Sequence, residues 1–232
     1  MNNLIELFQE FNEHLLNDIK PSKYFHEIFK QKKYLNVYPL KILVDLKKVE
    51  QNPLHHPEGN VYNHTMQVVD NAAKVKHLSN DRFVFMWSAL LHDVGKITST
   101  RVRKGRITAY DHDRQGEQIA KNFMQTFISD DILINKIAKL VRWHMQPLFV
   151  YKELPFAQVE EMINETSVSE IALLSLCDRT GRGRMTEKEE KLQANVIIKF
   201  MTHCKEKIND EQELLRIESV IDYLSNCKAT FS

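Results

Sequence analysis

Apolar residues recur at spacings of three and four along most of the chain, which is the periodicity of amphipathic helices. The first apolar stripe predicts a helix that ends before Pro21 and contains Leu4, Leu7, Phe8, Phe11 and Leu15. Pro21 and Pro39 each mark the start of a further short helix. Helices are also predicted near 61–79, 82–95, 115–128, 130–145, 157–164, 168–178, 186–207 and 210–226.

Two segments interrupt the helical periodicity. Residues 51–60 concentrate proline, asparagine and glycine, which predicts an ordered loop. Residues 98–110 are rich in β-branched side chains, and Lys104 with Gly105 supplies a turn, so a short β-hairpin is predicted there. The resulting fold class is an all-α bundle with one short hairpin near 98–110.

Composition narrows the class of protein further. Six glycines and six prolines in 232 residues are few, which argues against sandwiches, propellers, collagen and disordered linkers. A net charge of +1 does not by itself indicate a nucleic-acid or membrane partner. The longest apolar run, 83–91, is far too short to span a bilayer, and no signal peptide precedes it. We therefore expect a cytoplasmic protein that binds no membrane.

Histidines and aspartates stand at the ends of the apolar stripes, where their helices should direct them inward. His144 continues one stripe and Asp178 another; His64 begins a third, and His92 with Asp93 ends a very apolar helix. A buried unpaired carboxylate costs several kcal/mol, and one cation would relieve the whole set. A ligand set of imidazole nitrogens and carboxylate oxygens is typical of sites that bind Mn, Fe, Co, Ni or Zn. The alternative is that each residue is simply hydrogen-bonded in the core.

The order of these residues resembles the HD superfamily of metal-dependent phosphohydrolases. The longer context resembles the HD domain of bacterial CCA-adding tRNA nucleotidyltransferases over residues 20–185. The matching segments are Pro21-Ser22-Lys23-Tyr24-Phe25, His55-His56-Pro57-Glu58-Gly59-Asn60-Val61 with His64-Thr65, Ala89-Leu90-Leu91-His92-Asp93-Val94-Gly95-Lys96, Tyr110-Asp111-His112-Asp113, Gly116, His144 and Asp178-Arg179-Thr180-Gly181-Arg182. The resemblance suggests an HD domain over 49–185, an N-terminal helical segment over 1–48 packed on its core, and C-terminal helices over 186–232 in the same globular unit.

The resemblance also implies the metal ligands. His64, His92, Asp93 and Asp178 match the residues that hold a first metal. His112 and His144 match the residues that complete a second metal bridged by Asp93. Where the cyclic-di-GMP phosphodiesterases of the superfamily have a further histidine, this chain has Met145, and their Gly-Tyr-Pro signature is absent. We therefore expect one divalent transition-metal ion and leave a second open.

Basic residues flank this ligand set. Residues 96–106 contain five basic side chains and no acidic one, and further arginines follow Asp178. The resemblance implies that Asp93 and Lys96 are catalytic. The basic residues of 96–106 and the arginines after Asp178 suggest a phosphate-binding set that consists of Lys96, Arg101, Arg103, Arg179 and Arg182. Such a set suits a nucleotide or an RNA end. The alternatives are a solvated hairpin, and for Lys96 a solvated lysine at a helix end.

CCA addition itself is not expected, because the chain has no Gly-Ser and its only Asp-x-Asp, 111–113, lies in a helical context. The predicted activity is hydrolysis of a nucleotide phosphomonoester or an RNA-end phosphodiester, such as a 2′,3′-cyclic phosphate, by metal-activated water. The alternative is an HD module that binds tRNA-like RNA or a partner protein around a mainly structural metal. The oligomeric state stays open, a homodimer being one option.

Overall fold

Helices form nearly all of the regular structure in residues 2–31 and 36–226, the part of the chain that the computed structural model describes. The helices are α1 (Asn2–Asn17), α2 (Ser22–Ile28), α3 (Leu40–Asp45), α4 (Val61–Val75), α5 (Arg82–Leu91), α6 (Lys96–Ser99), α7 (His112–Gln125), α8 (Asp131–Trp143), α9 (Gln146–Tyr151), α10 (Val159–Glu165), α11 (Val168–Thr180), α12 (Glu187–Lys205) and α13 (Glu211–Asn226). A 3₁₀ turn, Leu46–Lys48, follows α3. The predicted all-α class is confirmed; the segment 227–232 of the predicted C-terminal unit lies outside the described residues.

The helices α5 and α11 form the centre of the bundle because both are apolar around most of their circumference. Nearly every residue of each is buried, from Val84 to Leu91 and from Val168 to Asp178. α5 packs against α1, α4, α8 and α11, while α11 also contacts α12 and α13. A helix that is apolar on all sides belongs in a core. Polar side chains at the ends of these helices are consequently held inside the protein.

The N-terminal helix α1 packs directly on this core. Phe8 stacks on Trp87 and Phe127, with ring centroids 4.8 Å and 4.6 Å apart. The indole Nε1–H of Trp87 donates to Asn12 Oδ1 at 3.2 Å. Aromatic stacking with a satisfied indole proton stabilises this contact beyond the area it buries.

The predicted hairpin is confirmed. Strands β1 (Arg101–Arg103) and β2 (Arg106–Thr108) pair antiparallel, with Val102 opposite Ile107. Gly105 turns the chain with φ +73°, a left-handed conformation that glycine adopts without steric cost. The arginines of β1 and Arg106 are exposed to solvent.

Several helix ends differ from the sequence-based prediction near His92. The helix predicted over 82–95 ends at Leu91, and residues 92–95 form a turn before α6. A Cβ placed on Gly95 would lie 1.9 Å from the carbonyl oxygen of His112, so only glycine allows this turn to contact α7. α7 accordingly begins at His112, three residues earlier than predicted. A short helix, α9, also follows the end of α8 where none was predicted.

Within the described ranges, no helix has both the length and the apolar character needed to cross a membrane.

Candidate metal centre

Five structural elements bring the predicted ligands to one buried place. His64 projects from α4, and Asp178 from α11. His92 and Asp93 occupy the turn that follows α5, while His112 begins α7 and His144 ends α8. All six residues are at most 7% exposed. The close contact of Gly95 with α7 is what allows His112 to reach the turn that carries Asp93.

Three of the histidine rings share one hydrogen-bond arrangement that fixes their tautomer. Each Nδ1 lies near the backbone carbonyl oxygen three residues earlier, and an oxygen there can only accept. The distances are 2.9 Å from His92 to Ala89, 2.8 Å from His112 to Ala109 and 2.7 Å from His144 to Val141. The proton of each neutral ring therefore resides on Nδ1, which leaves Nε2 with a free lone pair. Such second partners orient metal-binding histidines.

The fourth ring, His64, faces acceptors on both sides. Its Nδ1 lies 2.9 Å from the carbonyl oxygen of Gly181 and 3.0 Å from Glu58 Oε1. Its Nε2 lies 3.0 Å from Asp178 Oδ1. Burial alone would lower the pKa of His64, but the hydrogen bonds to Asp178 and Glu58 raise it to about 8. A positive charge is thus favoured on the Nε2 side of this ring, whether from a proton or from a cation.

Asp93 lies between two pairs of histidines. Its Oδ2 is 3.3 Å from His92 Nε2 and 3.7 Å from His64 Nε2. Its Oδ1 is 3.4 Å from His112 Nε2 and 3.8 Å from His144 Nε2. Two groups result, each able to hold an ion, with the ligand atoms of each group within 4.8 Å of one another. Nitrogen lone pairs that converge on one carboxylate in a buried place fit a divalent transition metal.

Asp178 contacts the centre through His64 and is shared with an arginine. Arg182 Nη2 donates to its two carboxylate oxygens at 3.1 Å and 3.2 Å. Burial would raise the pKa of Asp178, but the Arg182 guanidinium and the hydrogen bond from His64 hold it well below its usual range. Asp178 therefore remains an anion beside His64.

The charges of the centre favour cation binding. Burial would raise the pKa of Asp93, but the nearby Lys96 ammonium and the His92 and His112 rings hold it well below its usual range. Burial, reinforced by the neighbouring His112 and His92, lowers the pKa of His144 to about 4. Burial lowers the pKa of His112 as well. At neutral pH, Asp93 is therefore ionised and these two rings are neutral, as metal ligands must be.

A pocket of about 290 Å³ opens above the centre and exposes part of it to solvent. Its wall includes Asp93, His112, His144 and Asp178 together with Lys96, Lys152 and Arg182. Lys96 Nζ lies 2.7 Å from Asp93 Oδ2 and donates to Gln51 Oε1 at 2.8 Å. The pocket thus joins the ligand set to three cationic side chains.

The structure places the predicted phosphate-binding residues in different surroundings. Lys96 and Arg182 line the pocket, whereas Arg103 lines a neighbouring cleft. Arg101 is exposed on β1 and lines neither cavity, its Nη1 donating to the Thr100 carbonyl. Arg179 lies away from the pocket, with its Nε donating to Gln193 Oε1 at 2.8 Å.

Sequence reasoning gave no role to Glu58, which the structure places directly behind His64. Its Oε1 lies 2.8 Å from His56 Nδ1 and 3.0 Å from His64 Nδ1. Burial would raise its pKa, but these two hydrogen bonds lower it to about 2. The signal was its position six residues before His64 in a loop otherwise rich in proline and glycine. Gln51, which holds Lys96, had no comparable signal.

Comparison with known proteins agrees with this geometry. Residues 61–227 match the family model described as the HD domain. Over 97 residues, the chain is 32% identical to the multifunctional CCA protein of Halorhodospira halophila (strain DSM 244 / SL1). That alignment covers 42% of this chain and 22% of the relative, so the chain matches less than a quarter of its length. The match of the family model over most of the chain, with the His and Asp residues gathered in one buried centre, shows that this protein belongs to the HD domain family.

Proposed function

We propose that the protein is a metal-dependent phosphohydrolase that acts on a nucleotide phosphomonoester or on an RNA-end phosphodiester such as a 2′,3′-cyclic phosphate. The observation that carries the proposal is the convergence of four histidine Nε2 atoms on Asp93, beneath a pocket that also presents Lys96 and Arg182. A buried anion with neutral nitrogen ligands supports metal binding, and cations above it support a phosphate substrate.

The proposed first ion, one of Mn, Fe, Co, Ni or Zn, would be held by His64, His92, Asp93 and Asp178. A second ion would be held by Asp93, His112 and His144. When bound, such an ion lowers the pKa of a coordinated water and polarises a phosphoryl oxygen. Asp93 is the residue on which both ions would depend, because it has one oxygen toward each histidine pair.

The proposed roles of the basic residues follow from where they lie. Lys96 holds Asp93 in place through Nζ and offers the same ammonium to a phosphate oxygen in the pocket. Arg182 is fixed by Asp178 and lines the same pocket, so it is the second proposed phosphate ligand. Arg101, Arg103 and Arg179 lie farther out, and their proposed contribution is to attract a polyanion.

An RNA end is supported by two features. The hairpin carries exposed Arg101, Arg103, Lys104 and Arg106 close to the pocket, whose wall includes Ile107 and Thr108 of β2. The partly similar relative is a CCA protein by name. The same exposed arginines support the second candidate, an RNA-binding module with a structural metal. That candidate expects salt-sensitive RNA binding which weakens in Arg103→Ala and survives chelation of the metal.

The experiment is a comparison of substrates with the protein loaded with Mn²⁺, Co²⁺ or Ni²⁺. We expect hydrolysis of nucleoside 2′,3′-cyclic phosphates or nucleoside monophosphates that is abolished in Asp93→Asn. The exposed Asp131 offers a matched control, Asp131→Asn, which should keep the full rate. Circular dichroism should show both variants helical. Full activity of Asp93→Asn would refute the proposal.

A further inference from the structure

A second cavity adjoins the metal pocket and has a different character. Its volume is about 880 Å³, within the roughly 300–1,000 Å³ typical of small-molecule sites, whereas the metal pocket at about 290 Å³ is much smaller. The two cavities share a wall made of Thr108, Ala109, His112 and Met145. We call the larger cavity the side cleft. A molecule bound in the side cleft would therefore lie within one side-chain layer of the proposed metals.

Aromatic side chains line the side cleft and remain open to solvent. Tyr110 is 61% exposed and Phe156 is 59% exposed, so both rings are accessible to a ligand. Phe156 is supported edge-on by Phe149, with ring centroids 5.8 Å apart. The Arg103 guanidinium lies 5.1 Å from the centroid of the Tyr110 ring. Exposed aromatic rings with an adjacent guanidinium are the surfaces on which nucleic-acid bases stack.

The floor of the side cleft is polar, and its polar side chains are hydrogen-bonded to one another or to the backbone. Arg142 Nη1 donates to Asp113 Oδ2 at 2.6 Å, and both residues are buried. Gln146 Oε1 accepts the backbone N–H of Gln158 at 2.8 Å, which ties α9 to the segment that carries Phe156. A floor whose polar groups already have partners holds its shape without a ligand, and such pre-formed sites are typical of small-molecule binding.

Asp111 contributes a carboxylate to the rim of the side cleft. Asp111 precedes α7 in a left-handed conformation with φ 57° and is exposed, and within the described ranges its side chain makes no capping hydrogen bond. It lines the side cleft beside Tyr110. A carboxylate at such a position accepts hydrogen bonds from a base amino group or a ribose hydroxyl.

From these features we infer that the side cleft binds the nucleoside part of the substrate, with the base against Tyr110 and Phe156 while the phosphate occupies the metal pocket. The inference rests on the proposed function and names its substrate class as one that carries an aromatic base. Tyr110, Phe156 and Asp111 are then specificity-determining residues, because they contact the base or ribose and not the reacting phosphorus.

The kinetic test compares two substrates that differ only in the base: adenosine 2′,3′-cyclic phosphate and the 1-O-methyl riboside 2′,3′-cyclic phosphate. Tyr110→Ala and Phe156→Ala should each raise KM for the nucleotide roughly 5- to 150-fold, the range for one stacked base, with kcat little changed. Neither should alter KM for the base-free ester. Leu215→Ala, at an equally exposed apolar residue of α13, should alter neither substrate. An unchanged nucleotide KM, or an equal loss with both substrates, would overturn the inference.

A binding test keeps the inference separate from the proposed function. Adenosine, which has no phosphate to hydrolyse, is titrated into the purified protein and its variants, with heat or amide chemical shifts as the readout. We expect adenosine to bind to the wild-type protein. Tyr110→Ala should raise the Kd for adenosine roughly 5- to 150-fold, even if no preparation hydrolyses a phosphoester. Absence of adenosine binding, or equal binding by wild type and both aromatic variants, would overturn the inference while leaving phosphohydrolysis to its own assay.

Discussion

His112 Nε2 and His144 Nε2 lie 3.3 Å apart, although each ring donates its Nδ1 proton to a backbone carbonyl three residues earlier. Neutral rings in this tautomer have no proton to share between the two Nε2 atoms, so two lone pairs face each other. Asp93 Oδ1, 3.4 Å from His112 Nε2, adds a negative charge to the same place. A cation would stabilise all three atoms at once. The close approach of the two Nε2 atoms therefore indicates a metal site and not a hydrogen bond within the core.

Glu58→Gln should weaken metal binding without removing a ligand. Glu58 accepts from His64 Nδ1 and so orients that ring toward the centre. Glutamine can still accept this hydrogen bond but lacks the negative charge that strengthens it, and mutation of such a second partner typically reduces metal affinity or activity roughly 10- to 100-fold. Competition with a chromophoric chelator measures the affinity, and the exposed Glu187→Gln serves as the control. Equal affinity of Glu58→Gln and wild type would show that Glu58 plays no part in the centre.

Lys96→Met should slow hydrolysis while the metal content is retained. The ammonium of Lys96 lies beside Asp93 at the pocket wall, where it can stabilise charge that develops on the phosphoryl group. Removing one such preorganised group typically costs about 10²- to 10³-fold in kcat. Steady-state kinetics measure kcat, and metal analysis of the same preparation measures the metal content. The exposed Lys136→Met is the control. Unaltered kcat would limit Lys96 to a structural contact with Asp93 and Gln51.

Gly95→Ala should destabilise the protein and disturb His112. The added methyl would lie 1.9 Å from the His112 carbonyl oxygen, so α7 must move away from the turn that carries Asp93. Overpacking of this kind typically costs about 1–3 kcal/mol in the free energy of unfolding. Urea denaturation measures that cost, and metal affinity should fall with it. Gln125→Ala, at an exposed position of α7, should change the unfolding free energy much less.

Glu170 should make the protein less stable as the pH rises from about 5 to 7. Burial is the main cause that raises its pKa to about 7, and the nearby Glu213 and Asp81 carboxylates add to it, although Asn80 N–H and Ser79 Oγ–H donate to it. The folded state thus keeps a proton that the unfolded state loses near pH 4.5. The resulting stabilisation is complete below that pH and disappears as the pH passes 7, an effect of about 3 kcal/mol.

The check on Glu170 is the difference in unfolding free energy between wild type and Glu170→Gln, measured by urea denaturation from pH 4.5 to 8. Glutamine does not ionise, so the free energy of unfolding of the variant should increase relative to that of wild type as the pH rises through this range. Taking the difference removes the opposite contribution of Asp93 and Asp178, whose lowered pKa values are common to both proteins. Glu13→Gln, at an exposed position of α1, is the control for the loss of a surface carboxylate. A constant difference for Glu170→Gln would contradict the raised pKa.

Local patterns predict the helices and the inward direction of the ligands, because apolar periodicity decides which face of a helix is buried. His144 and Asp178 were predicted inside on this ground, and both are buried. Contacts between distant segments were not predictable in the same way. The turn after Leu91 depends on the contact of Gly95 with His112. Arg179 lies away from the metal pocket because its side chain donates to Gln193 of α12. The side cleft is not predictable from local patterns because α9 and the segment after it supply much of its wall.

The most direct test of the central claim is a titration of metal-free protein with Mn²⁺ while hydrolysis of adenosine 2′,3′-cyclic phosphate is followed. The account predicts that the rate rises from near zero and levels off after one or two equivalents of Mn²⁺, and that Asp93→Asn shows no rise. A rate that is independent of Mn²⁺, or that rises equally in Asp93→Asn, would contradict the assignment of this centre to metal-dependent phosphohydrolysis.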